Sequence, residues 1–249
     1  MMLKIAYLGQ EFHGFVRQPG LRTVEGDLLE AFGEIGCKPR IYPASRTDTG
    51  VSALFNAVRV TIQKDNICRM LTARLKDIWV YGYSFNEWNP RHCVKHYIYF
   101  LCGTYDSERL RKCCVLFSGT HDFSAFSRGK FENAKKEIEV SFEMKGDVTL
   151  LHFSGRSFLW EMIRRCVTGM KEYLDEKRTE QELANILEGK LREKVAPAPP
   201  ENLLLSDLEY EFPFTLDQFS FKRMRKEFYR RYEVYSVRKA LFEELKNFW

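Results

Sequence analysis

The sequence contains no apolar stretch near the ~18 residues a membrane-spanning helix requires, and its mean hydropathy is −0.38. That argues against an integral helical membrane protein. It also lacks a paired-cysteine pattern. The seven cysteines are odd in number, none stands in a Cys-x-x-Cys, and Cys113 and Cys114 are adjacent. Free thiols in a reducing compartment are therefore expected, and with them a cytoplasmic location, instead of a disulfide framework. Histidine is scarce, with five in 249 residues. His92, Cys93, His96 and Cys102 follow no zinc-knuckle spacing and lie on what reads as a strand, and His121-Asp122 has no second pair to complete a hydrolase centre, so no metal is expected. A signal peptide is not expected either, because residues 1–8 read as a short strand with Lys4 inside it. There is no repeat at solenoid period and no low-complexity segment. Neither sign of charge dominates: 39 basic and 34 acidic residues leave +5, which permits a polyanionic partner without demanding one.

What is present is an ordinary globular composition, 45% hydrophobic and 29% charged, with a raised aromatic share of 14%. Aromatic rings fill cores, and they also stack on unpaired bases. Alternation predicts strands over 3–9, 40–44, 77–84, 94–102, 136–144, 148–154 and 203–211, and one on which Asn56, Val58, Val60 and Ile62 share a face. Thr23 is a candidate N-cap, with Val24, Leu28, Phe32 and Ile35 recurring on one helical face. Further helices are predicted over 65–76, 107–117 and 157–174, and Thr179 with Glu182 forms a capping box for another. Gly146-Asp147 marks a hairpin turn. Short turns between one-sided strands argue for an α+β fold with antiparallel pairing over a doubly wound sheet.

Charge is unevenly spread. Residues 213–249 hold nine Lys/Arg and five Asp/Glu, most of the net excess. Within them, Lys222-Arg223-Met224-Arg225-Lys226-Glu227-Phe228-Tyr229-Arg230-Arg231 is a basic, aromatic-interleaved helix candidate. A solvated face is its ordinary reading, and contact with RNA phosphates the sharper one.

The most informative string is Ala44-Ser45-Arg46-Thr47-Asp48-Thr49-Gly50-Val51-Ser52-Ala53, between two predicted strands. Gly50 permits a tight bend that presents Asp48 at a rim. Taken alone, an Asp-x-Gly turn is ordinarily structural, the carboxylate bonding its own backbone. The string, however, resembles the signature of the TruA family of tRNA pseudouridine synthases, Gly-Arg-Thr-Asp-x-Gly-Val-x-Ala. It matches at Arg46, Thr47, Asp48, Gly50, Val51 and Ala53 and departs at Ser45. Val51-Ser52-Ala53 is closer to the archaeal and eukaryotic branch. Five further blocks resemble the family in order: residues 7–15, Asn89-Pro90-Arg91 followed by 95–99, residues 119–126, residues 157–164, and residues 198–205, where Asn202 replaces a glycine.

The resemblance, which covers about residues 1–212, implies the pseudouridine synthase fold, with two ferredoxin-like α+β halves (1–90 and 91–212) whose antiparallel sheets join across a central catalytic cleft. Residues 213–249 would form a basic helical extension. It implies Asp48 as the nucleophile, Arg164 as its ion-pair partner, and Tyr97 as the ring that stacks on the target base and takes part in proton transfer. Arg46 would help displace the target nucleotide, Leu203 would line the base pocket, and Arg91 would contact RNA or play a structural part. The substrate would be tRNA, at uridines on the 3′ side of the anticodon stem-loop, bound by a homodimer. The reaction needs no cofactor, because the base is detached, turned and rejoined with nothing added. Two other readings stand beside this one. A catalytically inactive RNA-binding protein of the same fold is opposed by the presence of Asp48, Tyr97 and Arg164. A zinc deaminase is opposed by the missing His-x-Glu and Cys-x-x-Cys.

Overall fold

The computed structural model describes residues 1–191 and 193–248. In chain order the elements are β1 (Met2–Tyr7), α1 (Val24–Glu34), β2 (Ile41–Pro43), β3 (Ser52–Val60), α2 (Ile67–Thr72), β4 (Ile78–Ser84), β5 (Val94–Cys102), α3 (Ser107–Phe117), β6 (Gly119–Asp122), β7 (Lys135–Lys145), β8 (Val148–Gly155), α4 (Met162–Leu174), α5 (Glu180–Leu187), β9 (Leu203–Glu209), β10 (Thr215–Leu216) and α6 (Gln218–Lys246). Four of the six helix starts are capped by a side chain, those of α1, α3, α5 and α6. Thr23 Oγ1 accepts from the Gly26 N–H, Asp106 from Arg109 and Asp217 from Ser220, and the Thr179–Glu182 box is formed in both directions. Each satisfies an orphan donor of a first turn.

The strands form one sheet in the order β10-β4-β1-β3-β9-β5-β8-β7-β6, with β2 on β3. The expected α+β class with mainly antiparallel pairing is what the chain adopts. One junction among the described strands is parallel: Ser52 and Ala53 of β3 pair with Leu204 and Leu205 of β9. Through it the sheet runs unbroken from residues 1–90 into 91–212. β10, from the extension, pairs with β4 at the far edge.

Successive strand residues point to opposite faces. Ile78 and Val80 of β4 join the main core with Leu28 and Phe32 of α1, Phe117 of α3 and Met170 of α4. Trp79 and Tyr81 point the other way and are covered by α6 through Phe221, Met224 and Phe228. Trp79 meets Phe228 edge-on, with centroids 4.9 Å apart. α6 is anchored by Arg231 on Asp77, a buried carboxylate that also pairs with Arg22 at 3.4 Å.

Three expectations change. The helix predicted over 157–174 begins at Met162. Residues 157–161 are non-helical, and Glu161 takes a left-handed φ of 61°. The apolar spacing continues upstream because Phe158 and Leu159 pack on the core from a loop. The helix predicted over 65–76 shortens to Ile67–Thr72 behind Asn66, which is also left-handed at φ 54°. β6 was not foreseen, since Gly119-Thr120-His121-Asp122 has no alternation. The basic run 222–231 lies within α6, a helix of 29 residues, Gln218–Lys246, in the extension expected over 213–249; Trp249 lies outside the described residues.

Two glycines separate close approach from mere helix placement. A Cβ on Gly9 would lie 2.2 Å from the Val51 carbonyl carbon, whereas one on Gly33, exposed in α1, meets nothing within 4 Å. Gly9→Ala is expected to destabilise the fold by about 3 kcal/mol or more, and Gly33→Ala to stabilise it by ~0.5–1 kcal/mol. Urea unfolding of both variants checks this. A neutral Gly9→Ala would contradict the packing of the 9–14 loop on residues 50–51.

Candidate active site

The 44–51 loop is held on several sides. Asn56 sits on the inward face of β3 with no exposed surface. Its amide accepts from the Ser45 N–H at 3.2 Å and donates to Ser45 O at 2.8 Å and to the Tyr7 hydroxyl at 3.2 Å. The Tyr7 hydroxyl is 2.8 Å from Thr47 Oγ1, and Ser45 Oγ is 2.7 Å from the Tyr97 hydroxyl. From the 9–15 loop, the Phe15 N–H donates to Thr47 O at 3.1 Å, and Phe12 O accepts from Gly50 at 3.3 Å. Gly14 and Gly50 take φ of +90° and +83°, which favour glycine. With its neighbours so fixed, the Asp48 carboxylate is left to face the cleft. Ser45, where the sequence departs from the signature, provides the hydroxyl that meets Tyr97.

Arg164, in the first turn of α4, reaches Asp48 from the other side. Its Nη1 donates to Asp48 Oδ2 at 3.1 Å, and its Nε donates to Ala198 O at 2.7 Å. The Ala198 N–H returns a bond to Arg164 O at 3.1 Å, so strand-preceding backbone and helix fix the guanidinium together. Both side chains are largely shielded, at 11% and 21% exposure. Burial raises the Asp48 carboxyl above its ordinary value of 3.8. Arg164's hydrogen bond and charge oppose that rise, Glu161 adds to it, and the Trp160 side chain opposes it.

Tyr97, on β5, is buried, with its ring edge-on to Phe158 at 5.3 Å. Burial pushes its phenol well up, against the hydrogen bond with Ser45, so it stays protonated at neutral pH.

A cleft of about 1120 Å³ opens over these groups. All six residues named from the sequence (Asp48, Arg164, Tyr97, Arg46, Arg91 and Leu203) line it. Arg46 and Arg91 are exposed and Leu203 is buried. Sequence reasoning passed over Lys95, Arg128, Arg156 and Lys136, which make the wall basic. Lys95 is buried, and its ammonium bridges two backbone carbonyls, Arg91 O at 3.2 Å and Arg156 O at 2.8 Å. Burial lowers its pKa. The signal for it was parity: Lys95 shares a strand face with Tyr97 and Tyr99. Among the described residues, no group of three His, Cys, Asp or Glu side chains is placed to hold a metal ion.

One carboxylate fixed by a guanidinium beneath a basic wall defines an enzyme class that works on an anionic substrate by acid–base or nucleophilic chemistry. The family profile described as tRNA pseudouridine synthase matches residues 113–211. The chain is 38% identical to tRNA pseudouridine synthase A of Pyrococcus furiosus, over 98% of this chain and 96% of that one. It is 37% identical to the protein of the same name from Thermococcus onnurineus, over 98% of each, and 34% identical to that of Methanothermobacter thermautotrophicus, over 98% and 96%. The chain belongs to the tRNA pseudouridine synthase family.

The opposed effects on Asp48 can be measured. In a carbon-13 NMR titration assigned with Asp48→Asn, the carboxyl is expected to titrate above 3.8. In Arg164→Gln the midpoint is expected to move higher still, because the group that favours the ionised form has gone. A midpoint below the ordinary value, or one indifferent to residue 164, would contradict the geometry.

Proposed function

We propose that this chain isomerises uridine to pseudouridine in tRNA, with Asp48 as the reacting carboxylate. The reading is carried by the Asp48–Arg164 pair beneath a basic cleft that also holds Tyr97 and Leu203. The reaction breaks the N1–C1′ bond and forms C5–C1′. The C5 proton is lost and N1 regains one, so atoms balance without a cofactor. Asp48 attacks C1′ or removes the proton that leads to a glycal, and either route needs it ionised, which Arg164 favours. Tyr97 supplies a flat face to the base and a protonated phenol for proton transfer. Leu203 packs on the base, Arg46 helps draw the nucleotide out of its stack, and Arg91 contacts the RNA backbone. Residues 1–90 and 91–212 form the two walls. The target lies on the 3′ side of the anticodon stem-loop, and the enzyme works in the cytoplasm.

Simple RNA binding is a poorer account of the site. A shielded carboxylate at the floor of a phosphate-binding cleft repels the ligand and gives no binding in return, whereas an isomerase requires it.

Incubating purified protein with unmodified tRNA and mapping carbodiimide adducts by primer extension is expected to reveal pseudouridine on the 3′ side of the anticodon stem-loop. Asp48→Asn should retain tRNA affinity and lose turnover, by at least about a thousandfold, and Tyr97→Phe should bind and stall. An active Asp48→Asn would place the chemistry elsewhere, and normal turnover in Tyr97→Phe would remove the phenol from the proton path.

α6 lies on the sheet face opposite the cleft, so its basic residues reach the same tRNA through a homodimer in which one subunit presents that face to RNA held by the other. Lys222, Arg223, Arg225 and Lys226 are exposed there, and the distal half of α6 exposes Val237, Leu241 and Phe242, an apolar surface for the partner. Sedimentation equilibrium is expected to give twice the 29.5 kDa chain mass. Changing those four cations to Gln should weaken tRNA binding and flatten its salt dependence. A monomer, or an unchanged salt slope, would remove α6 from the RNA surface.

A further inference from the structure

Two aromatic residues that line the cleft are exposed, Phe131 at 42% and Trp160, and of the two Trp160 has the larger ring and the closer tie to its surroundings. It is 51% exposed, while Tyr97 and Phe158 beside it are buried or partly buried. Exposure by itself marks nothing, since single apolar side chains are common on surfaces; what sets Trp160 apart is that its indole stands in the cleft wall beside Asp48 and is braced from behind. Its place is closely fixed. The Trp160 carbonyl accepts from the Arg128 N–H at 2.9 Å. The Arg128 guanidinium then lies over the indole, 4.4 Å from the ring centroid. Glu161, the next residue, holds a left-handed φ of 61° that costs a non-glycine residue free energy. Its carboxylate, 9% exposed, ties Arg165 at 2.5 Å and Arg128 at 3.5 Å, which maintains that conformation.

The guanidinium occupies one face of the indole, so the exposed area belongs to the other face and the outer edge, in the wall of the cleft that holds Asp48. Trp160 and Asp48 line the same cleft, and Glu161, next to Trp160, approaches Arg164, the partner of Asp48, at 4.0 Å. A planar group lying on the free face would therefore neighbour whatever reacts at Asp48.

We infer that Trp160, backed by Arg128, is a stacking platform for an unpaired nucleobase adjacent to the uridine that enters the cleft. The inference rests on the proposed action on tRNA and adds to it a subsite for the flanking base. Stacking needs only a π-face, so the subsite accepts any base, the larger purine face best. Arg128 braces the platform from behind, with one face of its planar group on the indole and an edge toward Glu161. Extruding a uridine breaks its stacking with both neighbours. A platform for one neighbour would recover part of that loss and keep the opened loop from closing.

The test is a binding cycle with an unmodified anticodon stem-loop RNA and two variants, each checked by its thermal transition. Trp160→Leu is expected to weaken binding about ten- to a hundredfold, and Trp160→Phe less than about threefold, since a smaller ring still stacks. An abasic nucleotide on one side of the target uridine should weaken wild-type binding to a similar extent and cause little further loss in Trp160→Leu. Independent losses at both flanks, or wild-type affinity in Trp160→Leu, would overturn the platform. A measurement on the unaltered protein guards against misfolded variants. 2-Aminopurine at the flanking position should be quenched when the RNA binds, and bright 2-aminopurine in the complex at both flanks overturns the inference. If pseudouridine forms while the cycle is additive, only the platform fails. If the cycle is non-additive but no pseudouridine forms, the platform stands and the isomerase reading fails.

Discussion

The site depends on a contact between two side chains 116 positions apart in sequence, Asp48 before β3 and Arg164 at the start of α4. The sheet makes their meeting possible. β3 and β9 run parallel at the seam, which sets the loop before β3 beside the backbone that leads into β9. That backbone provides the Ala198 carbonyl that orients the guanidinium. A shielded ion pair of this kind is weak evidence for stability, because desolvation offsets much of the attraction. Here its effect is electrostatic. Burial alone would drive the carboxyl toward its neutral form, and the arginine opposes that. The arginine thus favours the charged form at a place where water is largely excluded, and a charge so placed acts more strongly on its neighbours than one in bulk solvent.

Around the pair, polar groups fix position without adding charge. Tyr7, Thr47, Asn56, Ser45 and Tyr97 form a nearly continuous chain of hydrogen bonds under the 44–51 loop. Buried networks of this sort are costly when incomplete and rigid when satisfied. The chain also links the loop to Tyr97 on β5, so the carboxylate and the phenol are positioned by one framework. Arg46, Arg91, Arg128 and Arg156 of the cleft wall stand outside it and are exposed, while Lys95 is buried on two backbone carbonyls.

Much of this was legible in the sequence, for different reasons in different places. The strand over Val94–Cys102 and the helix over Ser107–Phe117 coincide with their periodic signals, and Thr23 caps α1 through the side-chain oxygen that made it a candidate. Where periodicity misled, a loop mimicked it: Phe158 and Leu159 continue the apolar spacing of α4 although Glu161 has already turned the chain. How α6 packs was hidden, because its apolar residues are spread around the helix and only its first half meets the sheet. Nor could pattern alone show that α6 covers the face opposite the cleft, because alternation separates two faces without saying which one holds the site. The six cleft residues came from ordered motifs, not from periodicity. Asn56 and Lys95 were missed for a simpler reason. Each is a polar residue on an inward-facing parity, where burial demands a partner, and the alternation of β3 and β5 already carries that demand.

The most direct test of the account is a crystal structure of Asp48→Asn bound to an unmodified anticodon stem-loop. The account predicts one uridine swung out of the loop, its C1′ about 3–3.5 Å from the residue 48 side chain, its base against Tyr97 and Leu203, and Arg164 still bonded to Ala198 O. A uridine left stacked in the RNA, or RNA lying on α6 with the cleft empty, would contradict it.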